Sequence, residues 1–192
     1  MKHTSLQIIR DEHSSLAAML QSMRRLVDMG PEDEPERYFD VLRAMLFYID
    51  EFPERLHHPK ETALLFPQVA ASAPDVQDTL ERLNRDHEHS QRAIRDLYHL
   101  LMAWELLGEA RRLAFNTAIT QYVDAYLEHM RLEENVILPA AEKHFTEADW
   151  QALDAAFEQN CDPLSGKYPV DPAYDRLFTR IVMRAPAPVG LG

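Results

Sequence analysis

HHPKE at residues 57–61 and HMRLE at residues 129–133 decide the reading of this chain. In each, a histidine and a glutamate stand four positions apart, His57 with Glu61 and His129 with Glu133. Helical geometry puts residues so spaced on one face, one turn apart, so both side chains reach a common point beside the helix. A chain with nine histidines and this much glutamate carries roughly one such pair by chance, so the spacing alone says little. The surroundings say more. A proline follows each histidine ten residues on, Pro67 and Pro139, and each pair comes after a helical segment with one histidine set among leucines.

Those two segments match position by position. After His13 the apolar residues are Leu16, Met19, Leu20, Met23, Leu26 and Val27; the same offsets from His87 give Ser90, Ala93, Ile94, Leu97, Leu100 and Leu101. Before them, Leu6 and Ile9 match Leu80 and Leu83. The single histidines lie 74 residues apart and the paired ones 72, which is an internal repeat of one helical hairpin. His13 and His87 therefore occupy equivalent inward positions. Four helices deliver His13, His57, Glu61, His87, His129 and Glu133 into one core. Imidazole with carboxylate suits iron, manganese, zinc and nickel. Burying four imidazoles and two carboxylates without an ion would leave several groups each costing a few kcal/mol. The six residues are expected to bind two metal ions per chain.

Around this centre the pattern is all-α, with apolar residues at helical spacing and no sustained strand alternation. A first helix is expected over about 5–28, ended by Gly30-Pro31, and a second over about 36–71. Pro53, Pro59 and Pro67 each remove a hydrogen bond from the second and should kink or interrupt it. At Pro59, between two ligands, a kink that keeps the side chains convergent is expected. A third helix runs from about 75 to Leu107 and stops at Gly108, a fourth covers about 109–144, and Thr146 with Asp149 resembles a capping box for a fifth over 147–159. Short connections between long helices imply an antiparallel up-down-up-down four-helix bundle. From Cys161 onward the chain turns Pro- and Gly-rich. Only 174–183, with Leu177, Phe178, Ile181 and Val182 grouped, is expected to form a further short helix, docked on the bundle or on a second subunit of a homodimer. The expected division is thus 1–160 for the bundle with its fifth helix and 161–192 for a C-terminal extension.

Composition excludes several classes. The chain has 192 residues and a formal net charge of −12, which repels phosphate backbones and anionic lipid surfaces, so no nucleic acid partner is expected. No apolar run approaches the roughly 18 residues of a membrane span. Lys2, His3, Arg10, Asp11, Glu12 and His13 interrupt any secretory h-region, which points to the cytoplasm. The one cysteine, Cys161, allows neither an intramolecular disulfide nor a thiolate zinc cage. Gly-rich phosphate loops and Ser-His-Asp arrangements are absent from the sequence.

The order His, His-x3-Glu, His, His-x3-Glu on four helices resembles the hemerythrin-like HHE cation-binding family over about residues 5–145. The resemblance implies two metals, usually iron, held between the four helices. It makes Glu61 and Glu133 the bridges and His13, His57, His87 and His129 the terminal ligands. Oxygen-carrying hemerythrins have another histidine one turn after the third-helix ligand; here that place is Gln91. With four histidines, one metal keeps an open or water-filled position, which argues against simple reversible oxygen carriage. The implied partner is a small diatomic (oxygen or nitric oxide) or peroxide, met for sensing, scavenging or storage. Alternatives are a di-iron oxidoreductase or iron donor in iron-sulfur centre repair, and a zinc- or manganese-loaded structural bundle.

The remaining histidines are expected outside the site. His58 is rotated about 100° from His57, His89 about 200° from His87, and His99 about 120°, all toward solvent, while His144 belongs at a bundle end. Toward the Gly30 and Gly108 ends, the inward positions are Leu16, Leu20, Asp50, Glu54, Ser90, Ile94, Tyr122 and Tyr126. Glu54 or Tyr126 is expected to orient a water or oxygen species at the metal, or Glu54 to serve as an extra ligand, and Tyr122 and Gln91 are expected beside the ligands with them.

Overall fold

The computed structural model describes residues 3–31, 34–160, 162, 164 and 174–191; Cys161 lies outside them. Every regular element among the described residues is helical. Helix α1 is Thr4–Met29, and a second helical run extends over residues 35–72. Next come α5 (Gln77–Leu107) and a fourth run over residues 109–144. Gly30 and Gly108 end α1 and α5 with φ of 80° and 87°, the left-handed region that glycine enters without steric cost.

The prolines of the second run neither break it nor leave it α-helical throughout. It passes from α2 (Pro35–Ile49) through a π-helical stretch, Asp50–His57, to the single turn α3 (His58–Lys60). A second π stretch, Glu61–Leu65, then leads into α4 (Phe66–Ser72). The fourth run repeats the device, with α6 (Arg112–Leu132), π-helical Glu133–Ile137 and α7 (Leu138–His144). Pro59, Pro67 and Pro139 sit in the first positions of the α turns that follow the π stretches. At such a position the missing N–H is not needed by the turn that proline opens. The wider i→i+5 turn absorbs the interruption, and π turns of this kind recur at functional sites.

Packing runs cyclically, with α1 against α2 and α6, and α5 against α2 and α6. Partner numbers fall along one helix as they rise along its neighbour. Arg24 reaches Asp124 where His13 reaches Glu134, and Arg43 reaches Glu105 where Thr62 reaches His87. Two apolar clusters fill the bundle. One gathers Leu16, Leu20, Met23, Met45, Ile49, Ile94, Leu97, Trp104, Phe115 and Val123 with their neighbours. The other gathers Leu6, Ile9, Leu65, Phe66, Leu80, Leu83, Ile137, Leu138, Trp150 and Phe157. The sequence gap between them on each helix falls at residues 10–15, 53–64, 84–93 and 131–136, and in these gaps stand most of the expected ligands.

Helix α8 (Glu147–Phe157) starts at the expected capping box: Thr146 N donates to Asp149 Oδ2 at 2.8 Å, and Asp149 N to Thr146 Oγ1 at 3.4 Å. It lies across α1, where Asp154 accepts from the backbone and hydroxyl of Ser5. Helix α9 (Asp175–Arg184) packs on α2, with Ile181 in the core and Arg180 and Arg184 both on Asp40. Residues 165–173 of the expected extension lie outside the described ones. No helix among the described residues is long and apolar enough to cross a membrane.

Candidate metal centre

All six expected ligands are buried in the zone between the two apolar clusters. Their ring nitrogens pair across helices. His13 Nε2 lies 3.3 Å from His57 Nε2, and His87 Nε2 lies 3.1 Å from His129 Nε2. The carboxylates stand between the pairs. Glu61 places one oxygen 3.1 Å from His57 Nε2 and the other 3.5 Å from His87 Nε2. Glu133 places one 3.0 Å from His129 Nε2 and the other 3.4 Å from His13 Nε2. Each carboxylate thus faces both histidine pairs.

The four carboxylate oxygens of Glu61 and Glu133 are buried without a hydrogen-bond partner. Two ionised carboxylates buried side by side require positive charge beside them, which the flanking imidazoles when protonated, or a bound cation, can supply. The donor set fits a cation. One donor atom from each of His13, His57, Glu61 and Glu133 lies within 4.8 Å of the others. The same holds for His58, Glu61, His87 and His129.

A shell of acceptors fixes which nitrogen each histidine presents inward. His57 Nδ1 donates to Glu12 Oε2 at 2.6 Å, and His13 Nδ1 to Glu134 Oε1 at 3.0 Å. His87 Nδ1 meets Thr62 Oγ1 at 2.8 Å, and His129 Nδ1 lies 3.6 Å from Asp86 Oδ2, an ion-pair separation. A histidine whose Nδ1–H is held outward offers its Nε2 lone pair to the centre. This shell follows the repeat. Glu12 precedes His13 as Asp86 precedes His87, and Thr62 follows Glu61 as Glu134 follows Glu133. The signal was in the sequence, as a polar residue beside each ligand at equivalent places, and it went unread.

Three expectations fail here. His58, expected on a solvated face, is 5 % exposed and stacks on His87 with ring centroids 4.0 Å apart. The 100° rotation assumed α geometry, whereas the π stretch ending at His57 spreads more residues over a turn and lets adjacent side chains both point inward. Gln91 is exposed and does not enter the centre. Asp50, expected inward, is half-buried and accepts from Arg55 at 3.1 Å. His89, His99 and His144 are exposed, as expected.

Glu54, Tyr122 and Tyr126 are buried, but they meet each other and His58 rather than the carboxylates. Glu54 accepts from Ser90 Oγ and, at 3.3 Å, from Tyr122 OH. Its other oxygen is 3.4 Å from His58 Nδ1, and Tyr126 OH is 2.8 Å from His58 Nε2. Glu54 therefore reaches the centre through His58 and belongs to neither ligand group.

Burial opposes charge on every group, and the outcome depends on neighbours. Burial and Glu61 both push the Glu133 carboxyl up, but His129 and His87 outweigh them and hold it at about 2. Burial pushes His129 down, while Glu133, Asp86 and Glu61 together carry it up to about 10. His57 and His87 are raised in the same way, against burial, by their carboxylates. Burial, reinforced by the neighbouring imidazoles, drives His58 well below the ordinary range and keeps it neutral.

Two spaces adjoin the centre. A pocket with room for one water-sized molecule, about 20 Å³, lies beside His13, His57 and Glu133 and is walled by Leu16, Phe52, Tyr126 and Met130. On the opposite side a groove of about 480 Å³ opens between α5 and α6 past Ala93, Ala118 and Ala125 and ends on His58, His129 and Tyr126.

Fold and centre together define a helical bundle built to bind cations in its interior. A model of the hemerythrin HHE cation binding domain matches residues 4–141, and the chain belongs to that family. An uncharacterized protein of Haemophilus influenzae (strain ATCC 51907 / DSM 11121 / KW20 / Rd) is 32% identical over 95 residues, covering 50% of this chain and 53% of that protein. The chain matches about half the length of this relative.

Proposed function

We propose that this chain is a non-haem dinuclear metal protein, with iron the favoured metal, that meets oxygen, nitric oxide or peroxide for sensing, scavenging or storage. The scaffold is an antiparallel four-helix bundle. The observation that carries the reading is a pair of buried histidine-carboxylate groups with Glu61 common to both, in which the oxygens of Glu61 and Glu133 are approached by histidine nitrogens alone. In this reading Glu61 and Glu133 would hold the ions together with His13 and His57 at one position and His87, His129 and His58 at the other. Iron, when bound, supplies reversible redox chemistry and coordination positions for small ligands.

The chain's own residues do the rest. Leu16, Phe52 and Met130 keep the small pocket apolar and fit it to a diatomic rather than to an organic substrate. Tyr126 closes that pocket while its hydroxyl is held by His58. The objection to oxygen carriage that rested on Gln91 loses its basis, because an additional imidazole arrives from the second helical run.

Elemental analysis of protein expressed with iron supplied is the test. About two irons per chain in the wild type, both lost in His57→Ala or Glu133→Ala, is the expected result for a centre with shared bridges. Zinc or manganese at the same stoichiometry would move the reading to a structural bundle. Less than about half an atom of any metal in a folded chain would overturn it.

A further inference from the structure

The fold places a residue from beyond the family-matched segment against the metal centre. Asn160, just past α8, is 3 % exposed. Its Nδ2 donates to Glu12 Oε2 at 2.9 Å, the same oxygen that accepts from His57 Nδ1 at 2.6 Å. Its Oδ1 accepts from Lys60 Nζ, so the amide is held from both ends and its orientation is set. Phe157, one turn earlier, stands edge-on to the His57 ring with centroids 5.7 Å apart. The matched domain ends at residue 141, so this contact is supplied by the chain that follows it.

The other histidines manage without such help. Glu134 and Thr62 reach His13 and His87 from the helices of the bundle themselves. Glu12 differs, because its acceptor oxygen serves two donors at once. An amide N–H on that oxygen keeps the carboxylate turned toward His57 and partly offsets its buried charge. Without the amide, Glu12 is free to rotate toward solvent, and His57 loses the acceptor that keeps its Nε2 directed inward.

Resting on the dinuclear reading above, we infer that Asn160 is a positioning residue for the metal position served by His13 and His57, acting through Glu12 on His57. The chain beyond α7 is then a working part of the centre. Groups that orient metal-ligating histidines typically change metal affinity by 10- to 100-fold when removed.

The experiment is a double-mutant cycle in the full chain. Wild type, Asn160→Ala, Glu12→Ala and the double variant are loaded anaerobically with ferrous iron, and its release to excess ferrous chelator is timed by absorbance. Asn160→Ala should speed release of the faster-leaving iron about tenfold, and in the Glu12→Ala background it should add nothing further. Asn160→Asp, nearly isosteric but without the N–H donors, should reproduce the faster release, which separates loss of the hydrogen bond from loss of packing. Unchanged release in both Asn160 variants overturns the inference, as does an Asn160→Ala effect that persists undiminished without Glu12, since the residue would then act only on the fold. The wild-type iron content, measured first, keeps this result apart from failure of the dinuclear reading.

Discussion

Three imidazoles of the centre carry raised proton affinities, and this has a sign that can be measured. Carboxylates push His57, His87 and His129 up against burial, His129 to about 10, so protons compete with a cation for the same nitrogens. A metal needs the neutral imidazole, so loading expels protons. Raising the pH therefore strengthens metal binding, and lowering it lets protons displace the ion. Calorimetric titrations at pH 7 in two buffers of different ionisation heat should report more than one proton released per chain on loading. Proton-neutral uptake would contradict the charge state described. The same raised affinities stabilise the fold below the ordinary histidine range, and that contribution is lost as pH climbs through the raised values. The six buried histidines and glutamates of the cluster were legible in the sequence because the repeat placed them twice. His58 was not, since its inward direction depends on a local change of helical pitch that no residue spacing announces. Glu54 and Tyr126 were legible as buried polar groups beside the centre, but which atom each would touch was not.

At the scale of the element, the π stretches explain how a proline-rich helix holds ligands. A proline between His57 and Glu61 should cost about 3 kcal/mol or more in a regular helix interior. Here it opens an α turn between two wider ones, and the run continues from residue 35 to 72. Helix boundaries, the glycine stops and the Thr146–Asp149 box were readable because each rests on local chemistry. The change of pitch was not, because proline signals a lost hydrogen bond without saying how the chain restores the pattern. Helix α8 is short and depends on that box. Thr146→Ala should lower unfolding stability by about 1 kcal/mol in a denaturant titration, with an unchanged slope against denaturant. A larger loss would mean that α8 carries more of the bundle's packing than its contacts with α1 indicate.

For the molecule as a whole, the centre lies where the two apolar clusters leave a gap, and there buried polar and charged side chains stand in place of apolar packing. Metal binding should therefore raise global stability. At free metal a thousandfold above its dissociation constant the gain is about 4 kcal/mol per site. For a chain of this size that corresponds to roughly 10 °C in melting temperature. Scanning calorimetry with and without a chelator checks it, and coincident melting curves would show that the fold gains nothing from an ion at the centre. The overall helical architecture was legible because periodicity survives along every long element. The docking of α9 on α2 was left open between the bundle and a second subunit, since an amphipathic stripe does not name what it faces.

The repeat has a consequence for the order in which the molecule assembles. Each of the two candidate ligand groups draws on both hairpins: Glu133 of the second joins His13, His57 and Glu61 of the first, while His58 and Glu61 of the first join His87 and His129 of the second. Local hairpin closure precedes pairing between segments far apart in sequence, because the long loop must be closed before its contacts reward it. A half-formed chain thus offers an incoming ion at most an incomplete set of donors. A complete set of donors exists only once the two halves have found one another.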